Sequence, residues 1–269
     1  MHSGTVHLNF PSVGATENLM MSAVFLEGET RLINVAKEPE IVDLQNFLNS
    51  LGCNISGAGS SEIIIKGVKE CDNQIEYNVI GDRITAGTYL IACAMCGGNI
   101  KVENVNCEHL ASLTSKLSNI GCEIKTGKDS IEISSNGELN SIDLIETSVY
   151  PGFPTDLQSQ IMAMLSVSKG VSIITENIFE NRFKFACELR KLGADILTKD
   201  RVAVVRGVDN LIGANVDATD LRGGAGLILA GLKAEGYTTI NNIFHIQRGY
   251  ENIDKVLNSV GADIRLIEN

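Results

Sequence analysis

Acidic and basic side chains recur at the starts of apolar runs in this sequence. Asp156 stands in PGFPTDLQSQ, behind Thr155 and ahead of the apolar run IMAML. Asp220 and Arg222 open DLRGGAGLILAG, and Arg248 lies in HIQRGYENID just before another helical pattern. A carboxylate within ~3 Å of a hydroxyl can take its proton. Guanidinium forks bind carboxylate and phosphate bidentately, and a helix N-terminus adds partial positive charge. Together these residue types suit proton transfer beside an anionic substrate. Each has a plainer reading as well. Thr155 or Asp156 would cap the helix that follows, worth roughly 1 kcal/mol. Asp220 would cap its own helix and pair with Arg222 at the surface, worth under about 1 kcal/mol. The two readings are compatible, because a cap fixes the rotamer of a residue whose other oxygen faces a cleft.

Two further patterns are weaker. Ser12, Val13 and Gly14 in PSVGATEN place a small hydroxyl and a glycine at a helix start, where backbone N–H groups can receive a diphosphate; the bare S-x-G pattern equally marks an ordinary helix start. Cys93 and Cys96 in TYLIACAMCGG have metal-like spacing, but no second pair and no neighbouring His accompanies them. They read as apolar packing. His245, beside a helix start, reads as structural.

The elements that must position these residues repeat. Leu51-Gly52-Cys53-Asn54-Ile55, Ile120-Gly121-Cys122-Glu123-Ile124, Leu192-Gly193-Ala194-Asp195-Ile196 and Val260-Gly261-Ala262-Asp263-Ile264 share one signature. They recur at intervals of roughly 70 residues, as do Gly28, Gly98, Gly170 and Gly236. Each copy begins with an apolar helix (ENLMMSAVFLEG, DLQSQIMAMLSVSKG, GGAGLILAGLKAEG) that the second glycine series is expected to end in a left-handed conformation. A strand follows, then an amphipathic helix such as IVDLQNFLNSLG, then two strands as in ADILTKDRVAVVRG. The unit is α-β-α-β-β. Three units closing around a pseudo-threefold axis would enclose the first helices, which explains why those are apolar nearly all round. One unit is then left over at the N-terminus, and the strand pattern TVHLNF at the chain start suggests part of a longer chain. Asp156 and Asp220 occupy near-equivalent helix starts in adjacent copies and so point to one end of the domain.

Composition bounds the partners. Of the 269 residues, 44% are apolar and 20% charged, as in ordinary globular proteins. No run approaches the ~18 apolar residues of a membrane span, and the N-terminus carries no secretion signal. Seven cysteines without a paired framework fit a reducing cytosol. A net charge of −11 argues against nucleic acid and anionic membranes. It also requires that an anionic substrate be held by locally clustered arginines.

The stretches FPSVGATENLMMSA, AKEPEIVDLQNFL, DRITAGTYLIA, PGFPTDLQSQ, ENIFENRF, DLRGGAGLILAGL and HIQRGYENID resemble the UDP-N-acetylglucosamine 1-carboxyvinyltransferase (UDP-GlcNAc enolpyruvyl transferase) family across essentially the whole chain. The resemblance implies an inside-out α/β barrel fold of two domains, three units each, with the active site in the cleft between them. Residues 1–79 correspond to the last unit of the first domain and residues 80–269 to the second domain. The implied reaction moves the enolpyruvyl group of phosphoenolpyruvate to the 3'-hydroxyl of UDP-N-acetylglucosamine, a cytoplasmic step of peptidoglycan synthesis. The vinyl carbon is protonated, the hydroxyl attacks, and the tetrahedral intermediate expels phosphate. No metal or organic cofactor is implied, and the full-length enzyme is expected to be a monomer.

By the same resemblance, Asp156 takes the sugar hydroxyl's proton and Asp220 stabilises the intermediate. Arg222 and Arg248 serve phosphoenolpyruvate, while Ser12, Val13 and Gly14 meet the diphosphate-uridine. Arg83, Thr155, Ile178, Glu180 and Arg182 face the substrates. Gly224 is an extra glycine relative to the family pattern and is expected to loosen its helix start. In the family a loop Cys that supplies the proton, with a Lys and an Arg, precedes the segment matched here, so the chain alone is expected to turn over little or not at all. The alternatives are a non-catalytic UDP-sugar-binding or scaffold protein, and a relative of the shikimate-pathway enolpyruvyl transferase; PGFPTD and HIQRGYE favour the sugar nucleotide.

Overall fold

The structure is a computed structural model and describes residues 2–267. Its contacts separate two units, Met1–Ile80 with Val149–Gly152, and Gly81–Ser148 with Phe153–Asn269.

The first unit runs β1 (Thr5–His7), α1 (Val13–Ala23), β2 (Glu29–Ile33), α2 (Pro39–Ser50), β3 (Asn54–Ser56) and β4 (Glu62–Lys66). Its sheet has the order β1-β2-β4-β3, with β1 parallel to β2 and the other pairs antiparallel. EIIIK of β4 turns Ile63 and Ile65 inward on the period-2 rule, where Met20, Leu32 and Ile41 meet them.

The second unit holds three more copies. The first is α3 (Arg83–Cys96), β5 (Gly98–Glu103), α4 (Ala111–Asn119), β6 (Glu123–Thr126) and β7 (Ser130–Ser135). The next is β8 (Leu144–Glu146), α5 (Gln158–Leu165), β9 (Val171–Thr175), α6 (Ala186–Lys191), β10 (Asp195–Lys199) and β11 (Val202–Arg206). The last is β12 (Asn215–Asp217), α7 (Leu221–Lys233), β13 (Thr239–Asn241), α8 (Phe244–Gln247) and α9 (Ile253–Ser259). Strand order repeats: β2-β4-β3, β5-β7-β6 and β9-β11-β10 are the same antiparallel arrangement. Parallel pairing repeats as well, in β1 with β2, β8 with β9 and β12 with β13. Helices α3, α5 and α7 pack on one another at the centre, and every residue of α5 is buried. The fold is α/β with its helices inside.

The Leu-Gly signature has one physical cause. In each copy the glycine follows the C-cap of the second helix with positive φ: Gly52 at +103°, Gly121 at +118°, Gly193 at +91° and Gly261 at +104°. The N–H of the next residue reaches back to a helical carbonyl, Cys53 to Leu48, Cys122 to Leu117, Ala194 to Leu189 and Ala262 to Leu257. This is the Schellman turn, and only glycine adopts it without Cβ strain. The other glycine series behaves differently from expectation. Gly28, Gly170 and Gly236 do have positive φ, but α1, α5 and α7 end at Ala23, Leu165 and Lys233, so these glycines shape the turn into the strand instead of ending the helix. Residues 262–267 of the fourth copy carry no strand; the Asn258 amide clasps the Ile264 backbone there as Asn49 clasps Ile55.

The cysteines also depart from the sequence reading. Cys53 and Cys71 form a disulfide, with Cα atoms 5.8 Å apart. The pairing was hidden because a backbone bond from Asn73 N–H to the Leu51 carbonyl folds the irregular 67–80 segment back beside the Schellman turn.

Candidate active site

The first helices of the four copies do not begin alike. Ser12 caps α1 by accepting from the Ala15 N–H at 3.3 Å. Asp82 caps α3, accepting from Ile84 N at 2.8 Å and Thr85 N at 3.2 Å. Asp220 caps α7 through Oδ1, which accepts from Arg222 N and Gly223 N, both at 2.9 Å. Helix α5 has no side-chain cap. Pro154 and a 3-10 turn over Thr155–Leu157 lead into it, with Leu157 N–H on the Pro154 carbonyl and Gln158 N–H on the Thr155 carbonyl. Backbone groups thus do the work of a cap. The capping reading of Thr155 and Asp156 is therefore corrected: neither side chain caps α5.

Both side chains turn to other partners. Asp156 Oδ1 accepts from Arg222 Nε at 2.9 Å and lies 3.6 Å from Arg182 Nη2. Arg182 Nη1 is 3.9 Å from Asp220 Oδ1, and its Nε donates to Thr155 Oγ1 at 3.2 Å. The guanidinium also stacks 4.4 Å above the Phe179 ring. Arg182 is the most enclosed member, with its side chain 8% exposed against 37% for Asp156. A cation so far from water is favourable only with charged or π partners close by. The surface pair expected between Asp220 and Arg222 does not form through their side chains: Asp220 takes the Arg222 backbone N–H, and the guanidinium crosses to Asp156. Burial works to lower the Arg222 pKa, but the Asp156 carboxylate and Tyr250 hold it above its ordinary value. Asp156 Oδ2 takes no hydrogen bond from the described residues, so one carboxylate oxygen is anchored and the other is open.

Packing sets this geometry. A Cβ on Gly224 would lie 2.5 Å from Ile246 Cγ1, and one on Gly226 would lie 2.9 Å from the Ser159 carbonyl oxygen. The glycines of α7 admit α8 on one side and the start of α5 on the other. Gly224 therefore tightens this helix start, contrary to the sequence expectation. Gly249 is packed against Leu221, which sets the Arg248 segment beside the first turn of α7.

The remaining predicted residues divide. Arg248 is exposed, follows α8 directly, and makes no ion pair or hydrogen bond with described residues. Thr155 donates to Glu176 Oε2 at 3.0 Å, and Ile178 donates its N–H to Glu176 Oε1 at 2.9 Å. Glu180 is exposed and also without a partner among the described residues. Arg83 is the first residue of α3 and is buried. Ser12, Val13 and Gly14 start α1 in the first unit; the Ser12 hydroxyl is engaged in capping, and open space surrounds the Gly14 Cβ position. Cys93 lies buried within α3, and burial pushes its thiol up to about 11. Among the described residues no three His, Cys, Asp or Glu side chains group as a metal site. No described helix is long and apolar enough to cross a membrane.

The residue that sequence reading missed is Glu176. It is 2% exposed and accepts from the Thr147 and Thr155 hydroxyls and the Ile178 and Phe179 N–H groups. Its place in VSIITENIF just after an apolar strand was the available signal, since a carboxylate there must find donors.

Helices enclosed by repeated sheet units, with paired carboxylates and guanidiniums at their starts, define an enolpyruvyl transferase fold. The enolpyruvyl transferase NikO from Streptomyces tendae matches 97% of this chain and 64% of its own, with a TM-score of 0.86 and 26% identity. An EPSP synthase from Acinetobacter baumannii shares the fold at a TM-score of 0.75 and 18% identity, over 100% of this chain and 64% of its own. The chain belongs to the EPSP synthase (3-phosphoshikimate 1-carboxyvinyltransferase) family, whose model matches residues 2–257. Within it, similarity is high to UDP-N-acetylglucosamine 1-carboxyvinyltransferase 2 of Caldanaerobacter subterraneus subsp. tengcongensis, 56% identical over 96% of this chain. The UDP-N-acetylglucosamine 1-carboxyvinyltransferase of Thermotoga maritima is 49% identical over 98% of this chain. Each match spans 62% of the relative's own length.

Proposed function

We propose that this chain serves the transfer of the enolpyruvyl group from phosphoenolpyruvate to the 3'-hydroxyl of UDP-N-acetylglucosamine, releasing phosphate. The observation that carries the reading is the state of Asp156. Its helix does not use it as a cap, Arg222 and Arg182 hold Oδ1, and Oδ2 is open to a substrate hydroxyl. A carboxylate held this way can accept the hydroxyl proton as the C–O bond forms. Arg248, exposed and unpaired among the described residues, would meet the carboxylate or phosphate of phosphoenolpyruvate. Asp220, with its charge beside Arg182, would oppose the cationic centre formed when the vinyl group is protonated. Ser12, Val13 and Gly14 would receive the diphosphate at the start of α1, while Ile178 and Glu180 would line the sugar side. The relatives named for UDP-N-acetylglucosamine favour it over shikimate 3-phosphate as acceptor.

Phosphate release from phosphoenolpyruvate tests the reading, with UDP-N-acetylglucosamine and shikimate 3-phosphate offered separately. Release with the sugar nucleotide is expected from the protein at its relatives' length. Release only with shikimate 3-phosphate would overturn the acceptor, and sugar-nucleotide binding without release would assign a binding role. We further propose that the 269-residue chain alone turns over little, and that the part of a relative it does not match restores activity when added separately. Robust release by the chain alone would sink that second proposal.

A further inference from the structure

We propose that Glu176 is a positioning residue that orients the Asp156–Arg182 pair for this reaction, acting through the hydroxyl of Thr155. The inference rests on the proposed function for its chemistry, but its geometry is independent of it. A purely local role would be met by the short-range bonds: Glu176 Oε1 accepts from the Ile178 and Phe179 N–H groups two and three residues on, both at 2.9 Å. The Thr147 hydroxyl adds a third donor to the same oxygen at 2.8 Å, and itself accepts from Asn177 N. The second oxygen does something else. Oε2 receives the hydroxyl of Thr155, 21 residues away in sequence and directly before Asp156.

That bond sets a direction. With the Thr155 proton committed to Glu176, the Thr155 oxygen presents a lone pair to Arg182 Nε, which donates to it at 3.2 Å. The guanidinium so oriented reaches Asp156 Oδ1 at 3.6 Å and Asp220 Oδ1 at 3.9 Å. One buried carboxylate therefore fixes the backbone of the Ile178 segment and the rotation of the buried arginine together. An amide at position 176 can keep one oxygen toward Thr147 and the two N–H groups. Its NH2 then faces Thr155, whose own proton must turn toward Arg182, a group with donors only. The relay fails although the shape is kept.

The test combines two readouts on E176Q, T155V and the double variant. Misplaced reacting groups can cost about 10²-fold in rate, so kcat with phosphoenolpyruvate and UDP-N-acetylglucosamine, measured with the relative's unmatched part added, should fall about 10–100-fold in each single variant. The double variant should fall no further than the worse single, because both break one relay. Nitrogen-15 NMR of the arginine side chains reads the geometry without any turnover. The Arg182 Nε–H should exchange slowly with water in the unaltered chain and in T155S, and at least tenfold faster in E176Q and T155V. An unchanged Nε–H signal in E176Q, kcat within twofold of the parent, or additive losses in the double variant would each overturn the proposal. If the parent transfers no enolpyruvyl group even with the relative's unmatched part added, the proposed function fails, and the Nε–H signal still decides whether Glu176 orients Arg182. Should E176Q not fold, E176D takes its place, because the shorter carboxylate keeps the charge but cannot hold the Ile178 segment and reach the Thr155 hydroxyl together. An unchanged Arg182 Nε–H signal in E176D would overturn the proposal.

Discussion

Asp156 and Asp220 stand at corresponding helix starts of adjacent copies, yet the molecule uses them in opposite ways. Asp220 gives Oδ1 to two backbone N–H groups of α7 and so belongs to its helix. Asp156 gives nothing to α5, which begins through a 3-10 turn, and its Oδ1 goes to Arg222 and Arg182. Ser12 and Asp82 follow the Asp220 pattern at the starts of α1 and α3. The repeat explains the difference. A fold built from one unit has a cap position in every copy, and a carboxylate is released from capping altogether only in a copy whose backbone satisfies the helix start by itself. PGFP provides that here: Pro154 holds an extended φ of −71° and ψ of 133°, and its carbonyl accepts the Leu157 N–H.

Four measurements press on this contrast, beginning with the largest effect. With the relative's unmatched part added, Asp156→Asn should lower kcat in the enolpyruvyl transfer assay by about 10²–10⁴-fold, the range for losing a general base. Its thermal midpoint should fall as well, through Arg222 and the buried Arg182 losing a charged partner and not through any lost cap. An intact rate would return Asp156 to an ordinary ion pair. Next is Gly226→Ala, whose Cβ would press 2.9 Å from the Ser159 carbonyl oxygen at the start of α5. Overpacking should cost about 1–3 kcal/mol in a denaturant titration, and the displaced α5 start should carry Asp156 away from Arg222.

The caps come third. Asp82→Ala and Asp220→Ala should each cost about 1 kcal/mol, read as a lower denaturant midpoint, while Asp220→Asn should retain that stability because Asn also caps. Hydrogen exchange of the first-turn amides separates cap from ion pair: Asp220→Ala should expose those of α7 and Asp156→Ala should leave those of α5 unchanged, and equal loss of protection in both would erase the contrast. The smallest effect concerns α3 away from its start. Burial raises the Cys93 thiol to about 11, so the reactive thiolate is scarce near neutrality. Alkylation of Cys93 at pH 8 should trail that of the exposed Cys187 and accelerate as pH climbs toward 11. Rapid modification of Cys93 at pH 8 would show that α3 is not enclosed.

The parts of the fold legible in the sequence were those with a local cause. The four Leu-Gly pairs announce helix ends because a Schellman turn needs one residue at positive φ, whatever surrounds it. Apolar first helices announced enclosure, since a helix without a polar face must be covered. The second glycine series misled on helix ends because positive φ serves a strand entry as well as a helix stop. Gly224 misled for a related reason. Propensity describes an isolated helix, whereas here the space beneath Ile246 decides.

The site divides along the same line. Residue types and repeat positions marked Asp156, Asp220, Arg222 and Arg248 as charges near helix starts, and the family resemblance, not the pattern, chose a functional reading over plain capping. Sequence by itself thus determined the repeat, its helix ends and the candidate charges, all consequences of backbone and side-chain chemistry within a few residues. Tertiary structure alone decided which charge meets which. Arg222 bonds across 66 residues to Asp156 in the preceding copy while nearby Asp220 caps. Arg182 and Glu176 gain Thr155 and Asp156 as partners only when their own copy folds the segment after β9 back onto the start of α5. Those pairings depend on distances of a few ångströms between segments far apart in the chain, and on burial that makes an unpartnered charge costly; neither quantity exists until the helices are enclosed.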